Sequence, residues 1–369
     1  MLLFGIPATR APAPTGFLLL EDGGYLLNEN GGRISLNESD TPSGFNIQWQ
    51  KVYEYIGTTF RPTFNDIKYA NGRYVAVGKV LESFNDRVYA ITSVDGITWT
   101  EIPQSKFVGS TTLLNLQAFN SVEYSTALGK WILAATFTGY GGGPPDTPGT
   151  RFYQSSDMVT WTYTDALLVL SDLQYNGVRY AAKRFVNIFD GSIIHYATSL
   201  ASWTAPTFPS VGGSSFKAGN LDQVEGTFFA LGVFAEDGGK VLYSNDGVTW
   251  QQFESAINFD RIYRFQGRWW AIDGTAVPYY SYDMVTWTQA VFSAPASCRG
   301  MAYANGIYLV GGTSGSSSLI ATSRDGINFD VQIGSGPEAS GSVQHLLSAN
   351  GKFLWQHAGL DAQRIYLSQ

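Results

Sequence analysis

A short pattern that returns along the chain constrains its fold more than any other feature. Ser93-Val94-Asp95-Gly96-Ile97-Thr98-Trp99 recurs at residues 155–161, 244–250 and 281–287, and at 323–329 with Phe in the Trp place. A worn copy at 198–203 has lost the Asp and one residue. An alternating apolar run, such as Lys240-Val241-Leu242-Tyr243, precedes each copy and reads as a strand. In the turn that follows, a carboxylate at Asp95, Asp157, Asp246, Asp283 or Asp325 can accept backbone N–H bonds, and Gly can take positive φ. Met158 and Met284 replace the Gly in two copies, so a different turn geometry is expected there. The closing aromatic starts the return strand and suits packing between neighbouring sheets.

A hairpin precedes each motif. Asn71-Gly72, Asn305-Gly306 and Asn350-Gly351 sit between alternating apolar segments, the strongest short hairpin signal, and Gly129-Lys130 and Glu225-Gly226 are variants. Each repeat therefore reads as four antiparallel strands, A to D. Such units repeated along a chain are propeller blades. The aromatics Trp99, Trp161, Trp203, Trp250, Trp287 and Phe329 mark six complete blades. The seventh is split. Residues 343–368 supply its strands A to C, and residues 45–52, with Trp49 in the aromatic slot, supply strand D. Pairing the two ends removes two open sheet edges. The expected fold is all-β: a seven-bladed β-propeller at 43–369, its last blade closed by the N-terminal strand, with a short β extension at 1–42. That extension carries an eight-residue period, Phe17-Leu18-Leu19-Leu20-Glu21-Asp22-Gly23-Gly24 and then Tyr25-Leu26-Leu27-Asn28-Glu29-Asn30-Gly31-Gly32. It is too small to be stable alone, so it is expected to dock on the propeller or on another chain.

Composition narrows the function classes. Charged residues are 14% of the chain and aromatics 15%, which excludes a disordered segment as its main content. The net charge is −7 with no Lys/Arg cluster, so nucleic acid is not an expected partner. No apolar run approaches the roughly 20 residues of a membrane helix, and residues 1–4 are too short for a signal-peptide core. Synthesis in a cytoplasm without membrane insertion is expected. Cys298 is the only cysteine and reads as a buried, inert thiol. His195, His345 and His357 lack zinc spacing and read as packing or surface residues, and one Asp per turn is too few for calcium. No metal, cofactor or catalytic residue is assigned.

The Ser-x-Asp-Gly-x-x-Trp copies resemble the Asp-box (BNR-type) repeats of sialidase-like propellers, over residues 43–369 as an architecture. They depart from that family in having Asp and Gly adjacent. The resemblance implies that these turns are structural. It also raises a glycoside hydrolase as an alternative. A sialidase needs an arginine triad, and Phe60-Arg61-Pro62 is the nearest match to its signature, without the Ile. Arg61 reads better as a loop residue. Arg151, Arg179, Arg261 and Arg299 fall at different points in the blades and assemble no triad.

Residues 16–27 resemble a segment common in tailed-phage structural proteins, and Tyr-Ser-x-Asp-Gly-x-x-Trp propellers are similar to ones in phage tail and host-binding proteins. The resemblance implies a non-enzymatic virion protein of the tail or baseplate region. It would be homo-oligomeric in the particle, joined to other virion proteins through residues 1–42, and in contact with a host-surface glycan or protein. A non-viral sugar-binding or scaffold propeller is a further alternative. The Asp-turn rim reads as scaffold. The variable B–C loops on the other rim are where function is expected, with Phe84, Tyr140, Asp146 and Arg151 as candidate contact residues.

Overall fold

The computed structural model describes residues 47–55, 61–82, 85–107, 115–138, 149–166, 178–181, 183–189, 193–200, 202–204, 206, 218–234, 238–254, 259–273, 277–294, 296–338, 342–358 and 363–369. The extension expected at 1–42 lies outside them. The propeller unit runs from Asn46 to Gln369.

Seven antiparallel sheets form, each with its strands in the order A-B-C-D. Blade 1 shows the pattern: Arg61–Ala70, Arg73–Glu82, Asn85–Ser93 and Thr100–Glu101. The A strands of blades 2 to 7 are Asn115–Ser125, Val178–Ala181, Ala218–Val224, Arg261–Phe265, Ser297–Ala304 and Ser342–Ala349. Blade 7 is completed by Trp49–Glu54, which pairs with Gln363–Ser368 in the register Trp49↔Ser368 and Glu54↔Arg364. An ion pair of Arg364 with Glu54 at 2.6 Å reinforces that seam. Among the described residues the closing strand begins at Trp49, and it ends at Glu54, later than the sequence pattern suggests. Blade 6 has a fifth strand, Val291–Phe292, which arrives from blade 5 and pairs in parallel with Asn328–Ile333.

The core is not one mass but seven clusters of buried residues, one in each seam between neighbouring blades. Each motif aromatic enters a different seam. Trp99 packs between blades 7 and 1, Trp161 between 1 and 2, Trp203 between 2 and 3, and Trp250 between 3 and 4. Trp287, Phe329 and Trp49 fill the last three. A flat ring of this size cements two sheets along one edge, and burying it contributes on the order of 2–3 kcal/mol.

The turns of the motif are alike in every full copy. The Asp95 Oδ1 accepts from Ile97 N–H at 2.8 Å and Thr98 N–H at 2.7 Å, while Ser93 Oγ accepts from Gly96 N–H at 2.9 Å. Asp157, Asp246, Asp283 and Asp325 hold the same pairs of N–H groups. The indole N–H of Trp99 closes the unit on Gly96 O at 3.1 Å. The different geometry expected at the two methionines does not occur. Met158 and Met284 take φ of 64° and 63°, beside 72–74° at the motif glycines Gly96, Gly247 and Gly326. The Ser and Asp bonds hold the left-handed backbone, at a strain of roughly 1–2 kcal/mol for a residue with a Cβ. Cys298 is fully buried, and burial pushes its thiol up to about 12.

Candidate functional site

Successive A strands touch one another all the way round the ring, so they line the central channel. Five of them carry a bulge at the same place: between Phe64 and Asp66, Phe119 and Ser121, Ala218 and Asn220, Cys298 and Gly300, and Val343 and His345. A bulge bends its strand and re-aims the next side chain. The residues that follow are not part of the repeating motif, and most are polar.

They staple blade to blade. Asp66 Oδ2 accepts Val122 N–H of blade 2 at 3.1 Å, and Ser121 Oγ accepts Val178 N–H of blade 3 at 2.8 Å. Asp222 Oδ2 accepts Ile262 N–H of blade 5 at 3.2 Å, and Asn220 Nδ2 donates to Asp260 O at 2.8 Å. Tyr263 hydrogen-bonds the backbone of Met301 in blade 6, and His345 that of Asn65 in blade 1. Ion pairs reach further. Arg179 of blade 3 meets Asp66 of blade 1 at 3.1 Å with little exposure of either side chain, and Lys68 pairs with Glu123 of blade 2.

The electrostatics follow from this company. Burial alone would raise the Asp66 carboxyl, but the Arg179 guanidinium, helped by His345 and the Val122 N–H, holds it below the ordinary carboxylate range. Burial lowers His345 to about 4, and Arg261 adds to the effect against the opposing pull of Asp66. The ring thus holds an imidazole that is neutral at pH 7, three cations (Lys68, Arg179, Arg261) and three carboxylates (Asp66, Glu123, Asp222). One oxygen, Glu123 Oε2, is buried without a partner among the described residues. No group of three or more His, Cys, Asp or Glu able to hold a metal occurs among them either.

The sequence-based candidates fare differently. Phe84, Tyr140 and Asp146 lie outside the described residues. Arg151 is not on a loop surface. It sits in strand Gly149–Ser155, is 5% exposed, and stacks its guanidinium 4.0 Å over the Tyr163 ring. Continuation of the C strand back to residue 149 buries it, which the Gly-rich run before it hides. Arg179 and Arg261, which assemble into nothing by sequence spacing, meet in the channel through their common carboxylates. His345, expected to be an ordinary packing or surface residue, stands beside them. Aligning the seven A strands on their A–B turns would have revealed these residues, as polar side chains where the blade pattern calls for apolar ones. The Asp-turn rim also differs from plain scaffold, because Val94, Ile97, Val159, Tyr282 and Val285 stand exposed on it, Val285 at 77%.

No protein-family model and no curated protein matches the chain. Solved structures do match. YCF48 bound to D1 peptide aligns at 13% identity and TM-score 0.57, covering 88% of this chain and 97% of that one. YCF48 from Cyanidioschyzon merolae aligns at 12% identity and TM-score 0.58, covering 87% and 98%. An ancestral GH74 enzyme aligns at 10% identity and TM-score 0.57, covering 86% of this chain and 51% of that one. At such identities the likeness is one of fold: like these, the chain is a β-propeller, here of seven blades.

Proposed function

We propose that this propeller is a non-enzymatic binding protein, a virion structural component of a tailed bacteriophage in the tail or baseplate region that contacts a host-surface glycan or protein. The observation that carries binding over catalysis is the commitment of the channel carboxylates. A two-carboxylate hydrolase keeps one acid protonated and the other free to act on substrate. Here Asp66 is ion-paired with Arg179, Glu123 with Lys68, and Asp222 is spent on the Ile262 N–H. YCF48 with its D1 peptide is a case of this fold taking a ligand. The virion part of the reading rests on the resemblance of residues 16–27 and of the repeats. The exposed apolar side chains of the Asp-turn rim are consistent with a face that a neighbouring subunit covers.

The test uses the full chain. Binding to intact host cells is expected, with no release of dye from a fluorogenic glycoside panel that includes a sialoside. Hydrolysis that disappears in Asp66→Asn would replace this reading with a glycoside hydrolase. A chain lacking residues 1–42 should lose incorporation into particles while keeping cell binding. Unchanged incorporation would sink the docking role of that segment.

A further inference from the structure

The five full copies of the turn motif fall into two sets. In blades 4 and 6 an arginine from the preceding blade lies over the turn: Arg184 Nη1 donates to Asp246 O at 3.1 Å and Arg268 Nη1 to Asp325 O at 3.0 Å. The fifth motif residues there, Val248 and Ile327, are half-buried. In blades 1, 2 and 5 no described residue makes that bond, and the fifth position is exposed: Ile97 at 41%, Val159 at 58% and Val285 at 77%. The second motif position follows a related division. It is polar at Asn245 and Arg324 in the covered turns and at Ser156 in blade 2, but apolar in the open turns of blades 1 and 5, where Val94 is 59% and Tyr282 68% exposed.

We propose that the open turns of blades 1 and 5 are the two halves of one contact, made face to face with a second copy of this chain. This rests on the reading above that a neighbouring subunit covers the Asp-turn rim, and it names that subunit. Exposed apolar side chains grouped on one face gain by being covered. The two turns carry matching chemistry. In blade 5 the Arg268 guanidinium carbon lies 5.2 Å from the centre of the Tyr282 ring and 5.1 Å from that of Tyr280. Apart from Nη1, its nitrogens make no hydrogen bond to a described residue. In blade 1 Asp95 is exposed, flanked by Val94 and Ile97, and its bonds to Ser93 Oγ and to the N–H groups of Ile97 and Thr98 all fall on Oδ1. An ordered arginine and tyrosine beside an aliphatic side chain is the composition of an interface hot spot, and the carboxylate fixes which turn lies opposite. Blades 1 and 5 stand three steps apart one way round the ring and four the other, so they are nearly opposite. A two-fold axis lying in the plane of the face sets blade 5 of each copy on blade 1 of the other, two identical contacts in a closed pair. One chain thus carries both halves in the disposition that a two-fold operation needs, which favours a second copy over an unrelated partner.

The test is the mass of the full chain in solution, read by sedimentation equilibrium over a range of concentrations. A dimer is expected. Val285→Lys and Ile97→Asp, both at exposed positions, should each leave the urea midpoint close to wild type. Each change enters the pair twice, so a loss of about tenfold at one contact becomes a dimer weaker by roughly a hundredfold. Mixing the two variants should restore association. The mixed pair has one intact contact and one lysine–aspartate contact, so it should form more tightly than either variant with itself, which is the result expected of blade 5 on blade 1. A wild-type chain that stays monomeric overturns the assignment, and so does a mixture that associates no better than its parts. A chain lacking residues 1–42 that dimerises where the full chain does not gives the face to that segment and overturns it too. Host-cell binding keeps the two ideas apart: a monomer that binds cells removes this contact and leaves the binding reading standing, while a dimer that binds no cell does the reverse.

Discussion

The Asp-turn rim and the channel are built from the same four-strand blades, yet they are held together in opposite ways. On the rim the bonds within each motif are local, with Arg184 and Arg268 each adding one from the preceding blade to the carbonyls of Asp246 and Asp325. Ser93, Asp95, Gly96, Thr98 and Trp99 satisfy one another within one turn, and the other copies repeat the Ser and Asp bonds. In the channel the bonds of Asp66 Oδ2, Ser121 and Asp222 cross seams, and Asp66 reaches both blade 2 and blade 3. Local bonding tolerates loss one blade at a time. Bonding across seams couples blades that are far apart in the chain.

The sharpest way to break this contrast is to cut the channel pair. Asp66→Ala or Arg179→Met leaves a poorly solvated charge unpaired and should cost about 3–5 kcal/mol in urea unfolding. The double variant should cost less than the sum of the two, since the second change removes the stranded partner. Simple additivity would show that the pair is not a unit.

Acid separates the regions by pH. His345 sits at about 4 in the fold against 6.5 in a free chain, so the unfolded chain takes up the proton first. Stability therefore falls as pH drops from 6.5 towards 4, with His357, also lowered by burial, adding to it. Asp95 and Asp157, held at about 2 by backbone N–H bonds, contribute stability that is present above pH 3.8 and lost from there down to 2. The channel should yield before the rim. A urea-midpoint slope between pH 6.5 and 4 that survives in His345→Gln with His357→Gln would contradict this.

Two glycines test how far the rim is local. Gly326 has φ +72°, and a Cβ there would lie 2.8 Å from Trp270 of the preceding blade. Gly326→Ala should cost about 2–4 kcal/mol, adding overpacking to left-handed strain. Gly72, at φ +69° with open space around it, should cost only about 1–2 kcal/mol as Ala. Equal losses would mean that the turn does not press on its neighbour. The smallest effect sharpens the idea of repetition. Ser93→Ala, Ser155→Ala, Ser244→Ala, Ser281→Ala and Ser323→Ala each remove the acceptor of the fourth motif residue's N–H, and each should cost about 1 kcal/mol. A spread wider than a few tenths, read from urea midpoints, would show that the copies are not independent.

Legibility in the sequence follows the same division. The blade count, the split seventh blade and the motif aromatics could be read because a turn repeats its chemistry over a handful of adjacent residues. Short-range spacing alone makes Asp95 reach Thr98 N–H. Met158 shows the limit even there, since the bonds around it, rather than its own preference, set its φ. Arg151 was misplaced because nothing local says where a strand resumes after a Gly-rich run. In the channel, spacing from the A–B turns marks positions but does not say which of them pair. Asp66 and Arg179 are 113 residues apart, and nothing in either neighbourhood names the other.

What the sequence determined alone is therefore the repeating unit and its number, because strand alternation and turn bonding depend only on residues close in the chain. Tertiary structure decided which side chains share the axis. Closing seven blades into a ring brings non-repeating positions of the A strands into contact, and in five of those strands a bulge aims them. The meeting of Asp66 with Arg179 depends on that closure.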